Sequence, residues 1–176
     1  RTLAVALRNA GHHVYYPQFP NTETPIMAEW QELLVEELDH LHESGSGETI
    51  FIGHSLGCIN FLQTAAAGKI KPAIDRVLLV APAAPEVLGE IPNSFIDLND
   101  PEVKAAAHAA AKQLFIVGSD KDPWTPRGLQ ETFGDPLGVK ASIIVGAGHL
   151  GREDNWSSWQ GVYDWVLDPT ADITKR

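Results

Sequence analysis

The 176-residue chain has a single cysteine, Cys58, so no intrachain disulfide can staple it and its stability must come from a packed core. One lone thiol fits a reducing compartment, and the cytoplasm is the expected location. Basic residues are scarce: 13 Lys and Arg stand against 23 Asp and Glu, a formal net charge of −10, with no cationic cluster. A phosphate backbone needs a basic face, so nucleic acid is excluded as a partner. Apolar runs stop well short of the roughly 20 residues that cross a bilayer, and the amino terminus has no secretory pattern, so no membrane partner is expected. His12, His13, His40, His42 and His108 lack acidic or cysteine partners at ligand spacing, and neither a metal nor an organic cofactor is expected. There is no internal repeat and no low-complexity tract. A chain of this length can bury one good core but not two, so residues 1–176 read as one domain.

What the chain does have is alternation of strand-like and helix-like segments, the signature of a parallel sheet covered on both faces. A strand is predicted over residues 12–16. A helix is predicted over residues 25–42, with Pro25 in its first turn, Ile26, Trp30, Leu33, Leu34, Leu38 and Leu41 on one face, and a stop at Gly45 to Gly47. Further strands are predicted at residues 76–81, 113–118 and 141–145. Helices are predicted at 102–111, 127–133 and 157–167, the last anchored by Trp156, Trp159 and Trp165.

The chemistry centres on residues 49–57, where Ile50-Phe51-Ile52 runs into Gly53-His54-Ser55-Leu56-Gly57 and then into the helical pattern Ile59-Asn60-Phe61-Leu62. A strand that ends in G-x-S-x-G and opens a helix is a nucleophile elbow. A serine hydroxyl is a weak nucleophile unless it is held in the open beside a base and beside donors for a developing oxyanion. The sharp turn presents Ser55, glycines at 53 and 57 are expected to relieve the close approach of strand and helix, and the Leu56 amide at the helix N-terminus can serve as an oxyanion donor.

An elbow of this kind calls for an acid and then a histidine, each in a loop after a later strand. Residues 113–118 lead into Ser119-Asp120-Lys121-Asp122-Pro123-Trp124-Thr125-Pro126, an acidic loop at a strand's carboxyl end. Residues 141–145 lead into Gly146-Ala147-Gly148-His149-Leu150-Gly151, a histidine framed by glycines. Asp122 is favoured as the acid because the prolines at 123 and 126 stiffen its surroundings, while Asp120 is the alternative or the residue that shapes the loop. Trp124, beside the acid, and Leu150, beside the histidine, are candidate pocket walls together with residues 82–98. Cys58 reads as a small packing residue and His54 as a support of the elbow.

The motifs Gly53-His54-Ser55-Leu56-Gly57-Cys58, Gly118-Ser119-Asp120-Lys121-Asp122-Pro123 and Gly148-His149 resemble those of the α/β-hydrolases, and among them the small serine hydrolases of the retinoblastoma-binding protein 9 and YdeN-like family. The resemblance implies an α/β-hydrolase fold, with a mostly parallel sheet, helices on both faces and a minimal cap. It also implies Ser55 as nucleophile, Asp122 as orienting acid and His149 as general base. The expected activity is cleavage of a small-molecule carboxylic ester or amide through an acyl-enzyme.

Two other readings share these residues. One is acyl transfer or thioester cleavage by the same three groups. The other is a protein-binding module on a hydrolase scaffold, but the Leu-x-Cys-x-Glu motif that retinoblastoma binding would use is reduced here to Leu56-Gly57-Cys58-Ile59-Asn60, without the glutamate.

One departure from the family stands at the amino terminus, where the sequence opens on a helical pattern over residues 2–10. The strand that precedes this helix in α/β-hydrolases lies between the strand at 12–16 and the elbow strand, and its following loop supplies the second oxyanion amide. The expectation is therefore that an N-terminal strand and oxyanion loop are missing from this sequence.

Overall fold

The computed structural model describes residues 2–44, 47–89 and 96–176. In chain order its principal elements are α1 (Thr2–Asn9), α2 (Met27–Ser44), β1 (Ile50–His54), α3 (Leu56–Ala66), β2 (Ile74–Val80), α4 (Pro101–Ala110), β3 (Ala111–Ser119), α5 (Asp135–Leu137), β4 (Ser142–Ile144) and α6 (Gln160–Leu167). The strands form one parallel sheet in the order β1-β2-β3-β4. Parallel neighbours need crossovers, and α3, α4 and α5 supply them.

Strand side chains alternate between the two faces of the sheet, and the alternation builds two cores. Val77 and Leu79 of β2 and Ile116 of β3 join Leu34, Leu38, Phe61, Leu62 and Ala107 from α2, α3 and α4. Leu78, Val80 and Val117 turn the other way, onto Val162 and Trp165 of α6. Because β2 is covered on both sides, it reads in sequence as a largely apolar run.

Arg76 interrupts that run. Its side chain is only 2% exposed, yet both of its terminal branches are satisfied. The guanidinium makes two 2.6 Å bonds to the Glu48 carboxylate and donates to the carbonyls of Trp165 and Val166, near the end of α6. It also lies over the Trp165 ring, 4.8 Å from the centroid. A cation at a helix C-terminus meets the partial negative charge of unpaired carbonyls there, so Arg76 fastens α6 to the sheet.

Several sequence expectations shift. α2 begins at Met27 rather than at residue 25, because the Ile26 carbonyl already accepts the Trp30 amide and Ile26 itself stays exposed. The apolar face is Met27, Trp30, Leu34 and Leu38, and the predicted stop at Gly45 to Gly47 falls partly outside the described residues. No strand forms over residues 12–16. That segment is irregular, tied to α1 by bonds of 2.7 and 3.2 Å from the Arg8 guanidinium to the Val14 carbonyl. A strand exists by pairing, and, among the described residues, 12–16 pair with no strand of the sheet. The helix predicted at 127–133 begins instead as a π-helical turn at Gln130–Gly134, and α6 starts at Gln160 because Trp159 has extended backbone. Among the described residues no helix is long and apolar enough to cross a membrane.

Arg76→Met should lower unfolding free energy by about 2 kcal/mol, since it leaves two helix-end carbonyls without their donor while the Glu48 carboxylate, 46% exposed, is hydrated. Urea denaturation followed by tryptophan fluorescence would measure it.

Candidate active site

All four strands point their carboxyl ends the same way, so the turns that follow them gather at one edge of the sheet. Ser55 follows β1 directly and has φ 54° and ψ −120°, a backbone conformation that L-residues rarely adopt and that only surrounding structure can enforce. The enforcement is visible: the Ser55 amide bonds to the Val80 carbonyl at 3.0 Å, one rung beyond β1, and the Ser55 carbonyl accepts the Cys58 amide. Gly53 is needed because a Cβ there would lie 2.8 Å from the Phe51 ring and 3.1 Å from the Gly57 backbone. Gly57 differs from expectation: a Cβ at that position meets nothing within 4 Å, so the close approach is relieved at Gly53. Cys58 sits beneath the turn, fully buried, with its thiol donating to the Gly53 and Val80 carbonyls and pushed up in pKa by burial.

His149 reaches the serine from the loop after β4. Its Nε2 is 2.9 Å from Ser55 Oγ, and its Nδ1 is 2.8 and 2.9 Å from the two Asp122 oxygens. A carboxylate can only accept, so Nδ1 carries the proton and Nε2 presents a lone pair to the Ser55 hydroxyl. Asp122 is buried and is held by the Trp124 amide, which donates to its Oδ1 at 2.9 Å. The arrangement can move a proton from the serine to the imidazole and leave the imidazolium beside a carboxylate.

Asp120, the alternative acid, is engaged elsewhere, and its Oδ1 accepts the Gly146 amide at 2.6 Å. Ser119, which sequence reading did not single out, is buried and accepts the amides of Ala147 at 2.9 Å and Lys121 at 3.0 Å. Asp154, also missed, accepts the His149 amide at 2.8 Å. The histidine loop is thus tied down by side chains, because it has left the ladder that would otherwise satisfy its amides. Only the Asp-rich turn at 120–122 carried a sequence signal for this. Ser119 and Asp154 look like ordinary loop residues until the loops meet.

His54 does not brace the elbow alone. Its Nε2 lies 2.8 Å from the His149 carbonyl, which fixes Nε2 as the protonated nitrogen, and the two rings are 4.8 Å apart between centroids. Although His54 keeps exposed surface, desolvation at the elbow lowers its pKa from 6.5; the bond to the His149 carbonyl and the charges of Asp122 and Asp154 oppose this, while the neighbouring His149 adds to it.

The candidate walls separate. Trp124 is 46% exposed, with its ring 6.0 Å from that of His149, and forms an open aromatic surface beside the histidine. Leu150 is 5% exposed and packs into the α6 core near Val80, Val117 and Trp165, so its side chain faces away from solvent. Its backbone, like that of Ala81 after β2, is left-handed, with φ of 55° and 43° respectively. Leu56 is half-buried, and its amide is a first-turn donor of α3 that the helix itself cannot use. Part of the expected wall at 82–98 lies outside the described residues. Among the described residues no group of three or more His, Cys, Asp or Glu could hold a metal ion.

The family model described as serine hydrolase matches residues 5–168. The chain belongs to the serine hydrolase family. No curated protein sequence matches it. Among solved structures, this serine hydrolase is similar to the YdeN gene product of B. subtilis, with TM-score 0.74 and 21% identity over 94% of this chain and 87% of that one. A YdeN-like hydrolase from Pectobacterium atrosepticum gives TM-score 0.69 and 20% identity over 92% and 77% of the two chains. The monoacylglycerol lipase of Paleococcus ferrophilus gives TM-score 0.59 and 18% identity over 94% and 87%. At such identities the likeness establishes the fold, which is that of the α/β-hydrolases.

Two expectations attach to this geometry. Cys58 should resist a chromogenic disulfide reagent in the native protein and react once urea unfolds it. For His54, the folded pKa lies below the unfolded value of 6.5. As pH falls through that value the unfolded chain takes up a proton that the folded chain refuses, so stability falls with acid. Between about pH 7.5 and 5.5 the urea midpoint should therefore drop less in His54→Gln than in the parent protein.

Proposed function

We propose that this serine hydrolase cleaves a carboxylic ester or amide of a small molecule through a covalent acyl-enzyme on Ser55. The observation that carries the reading is the continuous hydrogen-bonded chain from Ser55 Oγ through His149 to Asp122, at 2.9 and 2.8 Å, on a strained turn open to one side. His149 takes the serine proton as Oγ attacks the carbonyl carbon, and Asp122 holds the imidazole in its tautomer and stabilises the imidazolium. The same proton then goes to the leaving alcohol or amine. Water activated by His149 releases the acid and restores the serine. Acyl transfer and thioester cleavage would use the same atoms and differ only in the acceptor or the leaving group.

The tetrahedral oxyanion is stabilised by the Leu56 amide, with the partial positive charge of the α3 N-terminus behind it. Trp124 is the surface on which the apolar part of the substrate rests.

Fluorophosphonate labelling tests the proposal. The adduct should map to Ser55 by mass spectrometry and vanish in Ser55→Ala and His149→Ala; labelling elsewhere, or none in a folded protein, overturns it. With an ester substrate, Ser55→Ala should lower kcat by about four orders of magnitude or more. Asp122→Asn, which favours the wrong tautomer, should cost about ten-thousand-fold. Trp124→Ala should act chiefly on KM, raising it about tenfold with a smaller change in kcat.

A further inference from the structure

The imidazole of His149 is held at Nδ1 by Asp122, but a ring bond alone does not fix where the residue's backbone sits. The peptide that carries the ring lies two residues past Ala147, in a stretch where Gly146, Gly148 and Leu150 all have left-handed backbone, with φ of 69°, 63° and 55°. No strand ladder reaches it, since β4 ends at Ile144. Two side chains outside the triad grip the His149 backbone, one on each side of its Cα. Asp154 Oδ2 accepts the His149 amide at 2.8 Å, and His54 Nε2 donates to the His149 carbonyl at 2.8 Å.

Asp154 is itself built into a closed turn. Its amide bonds to the Gly151 carbonyl, and the Trp156 amide returns to the same oxygen. A Cβ at position 148 would collide with the Asp154 carboxylate, so Gly148 is what lets the carboxylate come up against the histidine loop. A hydrogen bond to an ionised acceptor is stronger than one between neutral groups, and this one ends on the residue whose ring must stay in reach of Ser55.

From this we infer that Asp154 is a positioning residue for the general base: by holding the His149 amide it keeps Nε2 within bonding distance of Ser55 Oγ. The inference rests on the acyl-enzyme reading for its kinetic consequence, though not for its geometric one. The Asp154 carboxylate bonds to the amides of the histidine loop, His149 and Gly151, rather than to Ser55. Its loss should therefore lower kcat and leave KM nearly unchanged, because misplacing a reacting group by a fraction of an ångström affects the transition state far more than ground-state binding.

The test uses the full chain, p-nitrophenyl acetate as the ester probe, and the downfield proton NMR signal of His149 Nδ1–H, assigned by its loss in His149→Ala. Asp154→Ala should lower kcat about ten- to a hundredfold, with KM within about twofold, and should broaden or abolish the downfield signal. Asp154→Asn keeps an oxygen acceptor and should restore kcat to within about threefold, together with the signal. If Asp154→Ala fails to fold, Asp154→Ser replaces it, since the serine hydroxyl falls short of the amide but can be hydrated. Parental kcat and an undisturbed signal in the folded Ala or Ser variant overturn the inference. If the parent protein hydrolyses no more ester than Ser55→Ala, the hydrolase reading fails by itself and the NMR signal alone decides the role of Asp154: lost in Ala or Ser and kept in Asn supports it, unchanged in all overturns it.

Discussion

The hydrogen bond from the Ser55 amide to the Val80 carbonyl continues the β1–β2 ladder by one rung into a residue that is no longer part of a strand. Everything at the site depends on that rung. It holds Ser55 in its left-handed turn, sets the direction in which α3 departs, and fixes the elbow relative to β2. Through the β2–β3 and β3–β4 registers it also fixes the elbow relative to the loops that carry Asp122 and His149. A shift of one register step would move Oγ by about 3.3 Å, enough to break its contact with the imidazole.

The two faces of the sheet hold this frame differently. One is covered by α2, α3 and α4, a broad apolar core in which propensity and pattern agree. The other depends on α6, a helix of 8 residues whose packing is reinforced by the Arg76 guanidinium at its final carbonyls and over Trp165. The stability of the His149 loop follows from this second face, because Leu150 is plugged into the same core as Trp165. The histidine therefore stands between a buried anchor on one side and the Asp154 turn on the other.

Much of this was legible in the sequence, for a physical reason. Strand, sharp turn and helix leave local marks, so the elbow could be read from residues 50–62, and loops after apolar runs could be read as carriers of an acid and a histidine. Which carboxylate faces the ring is not local: Asp120 and Asp122 share one turn, and only the meeting of two loops gives Asp122 the imidazole and Asp120 the Gly146 amide. Ser119 and Asp154 were illegible for the same reason, since the amides they accept come into reach only once the loops have folded. The strand predicted at 12–16 shows the opposite failure. Its composition suits a strand, but composition cannot supply a neighbour. Leu150 shows a third: proximity in sequence to His149 suggested a pocket wall, and a left-handed backbone turns the side chain inward instead.

Among the described residues five non-glycine positions have left-handed backbone, and two of these are asparagines, which tolerate it well. The other three, Ser55, Ala81 and Leu150, all lie at the carboxyl edge of the sheet, where β1, β2 and β4 end. Strain is thus concentrated at the edge that carries Ser55, Asp122 and His149. A lineage selected for heat tolerance alone would drift toward glycine at Ser55, where only the backbone strain is felt, while one selected for the proposed hydrolysis would be held there by the hydroxyl. Ala81 and Leu150, 0% and 5% exposed in one core, are held by their buried side chains under either pressure, so Ser55 is where the two part company.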